Sequence, residues 1–138
     1  WSSDVCSSDL TTIFDVGHNP HAASALAGSL KTMGYHPQTF AVFSMLRDKD
    51  LAEVVAAVND QIDVWLVAGL DLPRGMSAEE VAAQLAAANA RGKVLVYPNI
   101  AEAYSAACDK AAENDRIVVF GSFHTVAEAM AARRNRGH

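Results

Sequence analysis

The stretch TTIFDVGHNPHAA, residues 11–23, joins a short apolar run to an Ala-rich segment through a polar loop. The run TTIFDV is rich in β-branched and aromatic residues, which is typical of a strand. Asn19 is a good N-cap and Pro20 suits the first helical position, so a helix is predicted to start here. The stretch therefore predicts a strand–loop–helix unit whose loop carries a carboxylate, Asp15, and an imidazole, His18.

The same unit recurs along the chain, because short apolar runs alternate with helical patterns. Runs that are nearly continuous in apolar residues are typical of strands buried on both faces of a parallel sheet. The runs are TTIFDV (11–16), TFAVFSM (39–45), DVWLVAGL (63–70), KVLVYP (93–98) and RIVVFGS (116–122). This alternation predicts an α/β fold, a three-layer, doubly wound, mainly parallel five-stranded sheet. A length of 138 residues is that of one domain.

Cap residues mark the ends of several predicted helices. Ser77 followed by Glu80 forms a capping box at the start of the third helix, and Gly92 is expected to close that helix. Gly34 is expected to close the first helix. Ser122 can cap the last helix, directly after the fifth apolar run.

The composition excludes several kinds of partner. The chain is 51% hydrophobic and 20% charged, with a formal net charge of −5, so nucleic acid and anionic membrane surfaces have no electrostatic attraction for it. No apolar run approaches the roughly 20 residues of a membrane span. The two cysteines, Cys6 and Cys108, show no disulfide or metal spacing, which favours a reducing, cytoplasmic location.

The first ten residues, WSSDVCSSDL, do not share the pattern of the rest. They repeat Ser-Ser-Asp, show no turn or cap logic, and resemble translated sequencing-adapter DNA. We therefore expect residues 1–10 to be an artefactual tail and leave them out of the fold prediction, with residues 11–138 forming the domain and the natural protein continuing upstream. A genuine disordered N-terminus is the alternative.

The loops that follow the strands should form the functional edge of such a sheet. Asp15 could accept a hydrogen bond from a ribose hydroxyl or from a water on a cation. The helix start beside His18 and Asn19 favours an anion. Ordinary turn and cap roles explain the same residues equally well, so the spacing leaves both interpretations open.

Two other loops carry candidate residues with the same ambiguity. Ser122 can bind a ligand or can serve only as a helix cap. Arg74, between Pro73 and Gly75, is either a cation held by a stiff turn or part of a solvated surface.

Several sites are disfavoured by what the sequence lacks. His18 and His21 are three residues apart, but no third ligand is in view, so we predict no metal site here. The chain has no G-x-G-x-x-G after its first strand and no G-x-x-x-x-G-K-[ST], which disfavours a dehydrogenase-type dinucleotide site and a self-contained triphosphate site.

Four segments in order resemble one family. DVGHNPHAA (15–23) resembles the D-x-A-H-N-P-x-A signature that opens the C-terminal domain of the folylpolyglutamate synthases. VFSMLRDKD (42–50), LPRGMSAEE (72–80) and VVFGSFHTVAEAM (118–130) are similar to later motifs of that domain. The likeness is to the bacterial bifunctional dihydrofolate and folylpolyglutamate synthases, within the Mur ligase superfamily, and covers Thr11 to about Arg134.

The resemblance implies the C-terminal domain of an ATP-dependent carboxylate–amine ligase. Such an enzyme activates a folate or dihydropteroate carboxylate as an acyl phosphate, which the amine of L-glutamate attacks. ATP is held mainly by a central domain, the expected partner of this one, and the ligands of Mg²⁺ are expected in that N-terminal part. The family's Gly-Arg-Phe segment, whose Arg reaches ATP, should precede Thr11, where this chain has its unusual tail. The chain alone is therefore predicted to be inactive.

The resemblance also implies roles for individual residues. Asp15 would contact the nucleotide at its ribose, and His18 would lie near the phosphates, with Asn19 in the same ATP-binding loop. Ser122 would face the cleft near the incoming glutamate, which makes it and His18 the candidate catalytic residues, and Arg74 would lie on the substrate side. The family usually has Ala where this chain has Gly17, a minor departure.

Two other functions remain as alternatives. A muramyl-peptide ligase domain would share the fold, but its first loop usually lacks the His-Asn-Pro combination. A stand-alone doubly wound module that binds nucleotides or regulates a partner would differ by binding ATP tightly without another domain.

Overall fold

The computed structural model describes residues 2–5, 11–15, 20–32, 38–46, 51–70, 73, 75–111 and 115–135. The strands are β1 (Ser2–Val5), β2 (Thr11–Phe14), β3 (Thr39–Phe43), β4 (Val64–Ala68), β5 (Lys93–Tyr97) and β6 (Arg116–Phe120). The α-helices are α1 (Pro20–Thr32), α2 (Leu51–Val58), α3 (Ala78–Ala87), α4 (Ile100–Lys110) and α5 (Phe123–Asn135), and a short 3₁₀ helix, Asn59–Gln61, follows α2. All five apolar runs therefore contain strands, as predicted.

The strands form one sheet in the order β1-β2-β6-β3-β4-β5. Strands β2 to β6 are parallel, and only β1 runs antiparallel, at the edge beside β2. Because β6 lies between β2 and β3, the chain returns from the far edge of the sheet to its middle. The predicted doubly wound, mainly parallel fold with five parallel strands is confirmed.

Two cores cover the two faces of the sheet, which makes the three predicted layers. The first core joins α1, α2 and α3 to one face around Trp65, Phe43 and Phe120. The second joins α4 and α5 to the opposite face around Phe14 and Tyr104. Strands β3 and β6 are buried along their whole length, and this explains why their sequences are nearly continuous in apolar residues.

A polar network closes the amino edge of the sheet. Arg116, at the start of β6, is buried, and its Nε donates to Thr39 Oγ1 at 2.6 Å. Its Nη1 donates at 2.7 Å to the carbonyl of Leu30, which is one of the last carbonyls of α1. Burial lowers the pKa of Arg116, and the nearby carboxylate of Asp63 opposes that shift. The Oδ2 of Asp63 accepts from the Thr39 N–H at 2.8 Å, so the network joins α1, β3 and β6.

Of three sequence-based expectations about helix ends, one is confirmed, one is wrong and one lies outside the described residues. The capping box is confirmed, since Ser77 Oγ accepts from the Glu80 N–H at 3.2 Å. However, α3 ends at Ala87, and Asn89, with φ 58°, makes the left-handed turn that was expected of Gly92. Gly92 instead leads into β5, where a Cβ would clash with the carbonyl of Asp63. The expected helix end at Gly34 lies outside the described residues.

The N-terminal segment, which was left out of the fold prediction, pairs with the edge of the sheet. Residues Ser2–Val5 pair with β2 in register, Ser2 opposite Phe14 and Val5 opposite Thr11. An open sheet edge offers a row of backbone donors and acceptors that many sequences can satisfy. This pairing therefore adds a sixth strand without depending on the identity of its side chains.

Among the described residues, no helix combines the length and the apolar character that crossing a membrane would need. Cys108, one of the two cysteines without disulfide or metal spacing, is half-buried on α4.

Candidate functional site

The candidate site lies where β6 meets its two neighbours at the carboxyl edge of the sheet. Helices α1 and α2 leave β2 and β3 on one face of the sheet, whereas α5 leaves β6 on the other. Such a divergence opens a crevice at the strand ends, the usual ligand position in doubly wound sheets. Asp15 follows β2 and Ser122 follows β6, so the structure places both predicted residues at this edge, on adjacent strands.

Asp15 is anchored by the end of the β2–β6 ladder. Its backbone N–H donates to the carbonyl of Val119 at 2.9 Å, one residue beyond the last paired residue of β2. The residue is 7% exposed, so Asp15 is buried at this edge and does not lie on an open surface. Phe14, the residue before Asp15, packs in the second core and so holds the end of β2 in place.

Ser122 is the N-cap of α5. Its Oγ accepts from the Thr125 N–H at 3.1 Å and is 2.8 Å from Thr125 Oγ1, which in turn donates to the carbonyl of Ser44 at 3.2 Å. Either hydroxyl can supply the proton between them, and in both arrangements the Ser122 hydroxyl is engaged by Thr125. The hydroxyl of Ser122 is thus buried and serves to hold the first turn of α5 in place.

Gly121 brings the ends of β3 and β6 into close contact. Its φ is +120°, a backbone conformation that side chains rarely adopt, and a Cβ would clash with the carbonyl oxygen of Ser44. The same Cβ would press on the ring of Phe43 at 3.1 Å. Close backbone approach therefore requires glycine at the exact position where α5 begins.

Ser44, at the end of β3, was not singled out from the sequence. It is fully buried, and its Oγ has no hydrogen-bond partner among the described residues. Its carbonyl is the acceptor that ties α5 to β3, as noted for Thr125. No local pattern in the sequence indicates the contact between Ser44 and Thr125, because the two residues are 81 positions apart.

A separate cavity of about 650 Å³ opens at the carboxyl ends of β4 and β5. It is lined by residues 69–70, 77–79 and 96–99 and by Glu128. Here α3 and α4 leave neighbouring strands for opposite faces of the sheet, so the same divergence rule applies. Burial raises the pKa of the Tyr97 phenol, which is a protonated donor at neutral pH. Neither Asp15 nor Ser122 lines this cavity.

The other three predicted site residues belong to the segments that precede α1 and α3 in the chain. His18 and Asn19, expected to complete the nucleotide loop, and Arg74, expected on the substrate side, all lie outside the described residues. The structure does describe the helices that follow these residues in the chain. Helix α1 starts at Pro20, and α3 starts at Ala78 after the cap at Ser77.

Comparison with known proteins identifies related sequences. A sequence model of the family described as "Mur ligase, glutamate ligase domain" matches residues 4–123. The dihydrofolate synthase/folylpolyglutamate synthase of Escherichia coli K12 is 41% identical over 128 residues, which is 91% of this chain and 29% of that protein. The chain therefore spans less than a third of the length of this relative.

Solved structures share the fold at similar identity. E. coli FolC in complex with DHPP and ADP superposes with a TM-score of 0.86 and 36% identity, covering 98% of this chain and 30% of that one. A bifunctional folylpolyglutamate synthase/dihydrofolate synthase with Mn, AMPPNP and L-glutamate bound gives a TM-score of 0.83 and 37% identity, covering 95% of this chain and 30% of that one.

Proposed function

Because this chain belongs to the Mur ligase glutamate ligase domain family, we propose that it is the C-terminal domain of an ATP-dependent ligase that joins L-glutamate to folates. The observation that carries this proposal is the agreement of sequence and fold with one kind of enzyme. The match at 41% identity covers 91% of the chain, and the superposition at TM-score 0.86 involves a structure with ADP bound.

The proposed reaction proceeds through an acyl phosphate of the folate or dihydropteroate carboxylate, which the amine of glutamate attacks. In this scheme the carboxyl edge around Asp15 and the start of α5 faces the nucleotide held by the partner domain. Asp15 would accept a hydrogen bond from a ribose hydroxyl. His18 and Asn19 would lie near the phosphates, where the N-terminus of α1 favours negative charge. Arg74 would lie on the substrate side.

We propose a positioning role for Ser122. Its hydroxyl contacts Thr125 and its oxygen caps α5, which suits it to position the helix start rather than to act on the substrate. Of the two candidate catalytic residues, this leaves His18 as the group proposed to act near the transferring phosphoryl group.

ATP and Mg²⁺ are the proposed cofactors of the whole enzyme. The described residues bring together no three carboxylate, imidazole or thiolate groups that could hold a metal ion. We propose that the Mg²⁺ ligands belong to the central domain and that the present residues contribute to nucleotide and substrate contacts. We also propose a cytoplasmic location and no nucleic-acid or membrane partner, in keeping with the net charge of −5.

We further propose that residues 11–138 form the domain and that residues 1–10 are foreign to it. The repeated Ser-Ser-Asp and the absence of cap or turn logic support this proposal. Strand β1 would then occupy a sheet edge that another strand fills in the natural protein.

The proposed function is tested with a hybrid enzyme. Residues 11–138 replace the matching C-terminal region of E. coli FolC, and ATP-dependent ligation of glutamate is measured with dihydropteroate and with tetrahydrofolate as acceptors. We expect product and ADP to form only when ATP, Mg²⁺, glutamate and a folate substrate are all present.

Two controls accompany the hybrid enzyme. FolC truncated at the junction and the 138-residue chain alone should each form no product, and the chain alone should bind ATP weakly by calorimetry. A folded hybrid that ligates no glutamate would contradict the proposed function. Product formation or tight ATP binding by the chain alone would instead favour a self-sufficient module.

A further inference from the structure

The loop after β6 presents an aromatic side chain beside a serine whose hydroxyl is already occupied. Ser122 is 4% exposed, and its hydroxyl binds within the domain. The next residue, Phe123, is 66% exposed and is the first residue of α5. Among the described residues, the only other large hydrophobic side chain with comparable exposure is Val96. Phe123 and its neighbour His124 are thus the exposed side chains at this loop, and Phe123 is the apolar one.

The backbone that carries this ring is fixed from several sides. Ser122 caps the helix, and its carbonyl accepts from the Val126 N–H at 3.3 Å. Thr125 ties the first turn to Ser44 at the end of β3. Gly121 permits the close backbone approach that precedes the helix. The backbone position of Phe123 is thus set by the fold, although its ring takes no part in either core.

The ring is also oriented by its neighbour. The centroids of the Phe123 and His124 rings are 6.1 Å apart at an interplanar angle of 83°, an edge-to-face arrangement. This contact restrains the ring without covering most of it. A flat apolar face held at a fixed place reduces the entropy that a bound partner must lose, which is the usual advantage of a preformed binding surface.

We propose that Phe123 is the substrate-contacting residue of this loop, and that its ring stacks on a planar aromatic ring of a bound substrate. The inference rests on the proposed function, which supplies two such rings, the adenine of ATP and the aromatic system of the folate. The position supports this assignment, because α5 starts at the carboxyl edge and on the opposite face from the helices that follow β2 and β3, which is the usual place for a ligand in such sheets. Glutamate has no aromatic ring, so its binding should not depend on Phe123.

The test uses the hybrid enzyme with Phe123→Ala, Phe123→Leu and Phe123→Tyr. Loss of one aromatic stacking contact is expected to raise the KM of one substrate by about five- to tenfold. The Ala and Leu variants should both raise KM for ATP, or both raise KM for the folate, and the affected substrate identifies the ring. The Tyr variant should restore the parent value, and KM for glutamate should not change in any variant.

The Leu variant separates stacking from simple apolar contact, because it keeps apolar area but lacks a flat face. If it behaves as the parent while the Ala variant is impaired, the stacking proposal is wrong. A fall in kcat without a change in either KM would indicate a contact made in domain closure and would also overturn it, as would unchanged kinetics in all variants.

Folding and the proposed function are checked separately. Because the ring is exposed, the Tm of the 138-residue chain should be the same for the parent and the three variants. An inactive parent hybrid would contradict both the proposed function and this inference. An active parent hybrid whose variants are unaffected would contradict this inference alone.

Discussion

Replacing Arg116 with Met should destabilise the domain more than any surface charge change, because Arg116 is the buried cation of the amino-edge network. Its guanidinium makes two described hydrogen bonds, to Thr39 Oγ1 and to the Leu30 carbonyl, and it lies near Asp63. The Met side chain has similar length and no donors. The substitution therefore leaves both acceptors unsatisfied in the interior.

The expected loss of stability follows from the hydrogen bonds that the substitution removes and from the desolvation cost that Met avoids. A hydrogen bond from a charged group contributes about 1.5–3 kcal/mol. Removing one member of a buried ionic arrangement costs about 3–5 kcal/mol, and part of this is offset because Met needs no desolvation. We expect a net loss near 3 kcal/mol in the free energy of unfolding, or about 10 °C in Tm for a domain of this size.

The measurement is urea unfolding of the 138-residue chain, followed by circular dichroism and by fluorescence of the buried Trp65. Lys93→Met is the matched control, since Lys93 is the first residue of β5 as Arg116 is of β6, but is exposed. It should change stability by less than about 0.5 kcal/mol. Arg116→Lys keeps the charge but lacks the fork that reaches both acceptors, so its loss should be intermediate. If Arg116→Met is as stable as Lys93→Met, the network does not hold the amino edge.

Three further changes test the carboxyl edge and the sheet margin. Ser122→Ala removes the cap of α5 and should cost about 0.5–2 kcal/mol of unfolding free energy, and an unchanged urea midpoint would contradict the capping role. Gly121→Ala places a Cβ against the carbonyl of Ser44 at φ +120° and should lower Tm further than the Ser122 change, with equal values counting against that backbone conformation. Deleting residues 1–10 removes only an antiparallel edge strand, so a stability loss above about 2 kcal/mol would show that this segment is integral to the fold.

The strands were predictable because a strand that is buried on both faces is apolar along nearly its whole length. The five runs containing β2 to β6 are nearly continuous in apolar residues, and each contains a strand of the sheet. The capping box at Ser77 was predictable for a similar reason, since its partner Glu80 is three residues away. Features with local causes are thus visible in the sequence, and the chain order of elements then restricts the topology.

The polar networks were not predictable, because their partners are far apart in the chain. Arg116 lies in one of the most apolar runs, and nothing nearby indicates that it reaches Leu30, 86 residues away. Ser122 was ambiguous from the sequence, since a cap and a ligand contact require the same residue type. The contact with Thr125, and through it with Ser44, decides that its hydroxyl is used within the domain.

The most direct test of the central claim measures whether the edge beside Asp15 receives the ribose of the nucleotide. In the hybrid enzyme, kcat/KM is compared for ATP, 2′-deoxy-ATP and 3′-deoxy-ATP, in the parent and in Asp15→Ala and Asp15→Asn, with Tm confirming that each variant is folded. We predict that the parent prefers ATP to one deoxy analogue by about 10- to 100-fold and that Asp15→Ala abolishes this preference. An Asp15→Ala enzyme that discriminates as well as its parent would contradict the account.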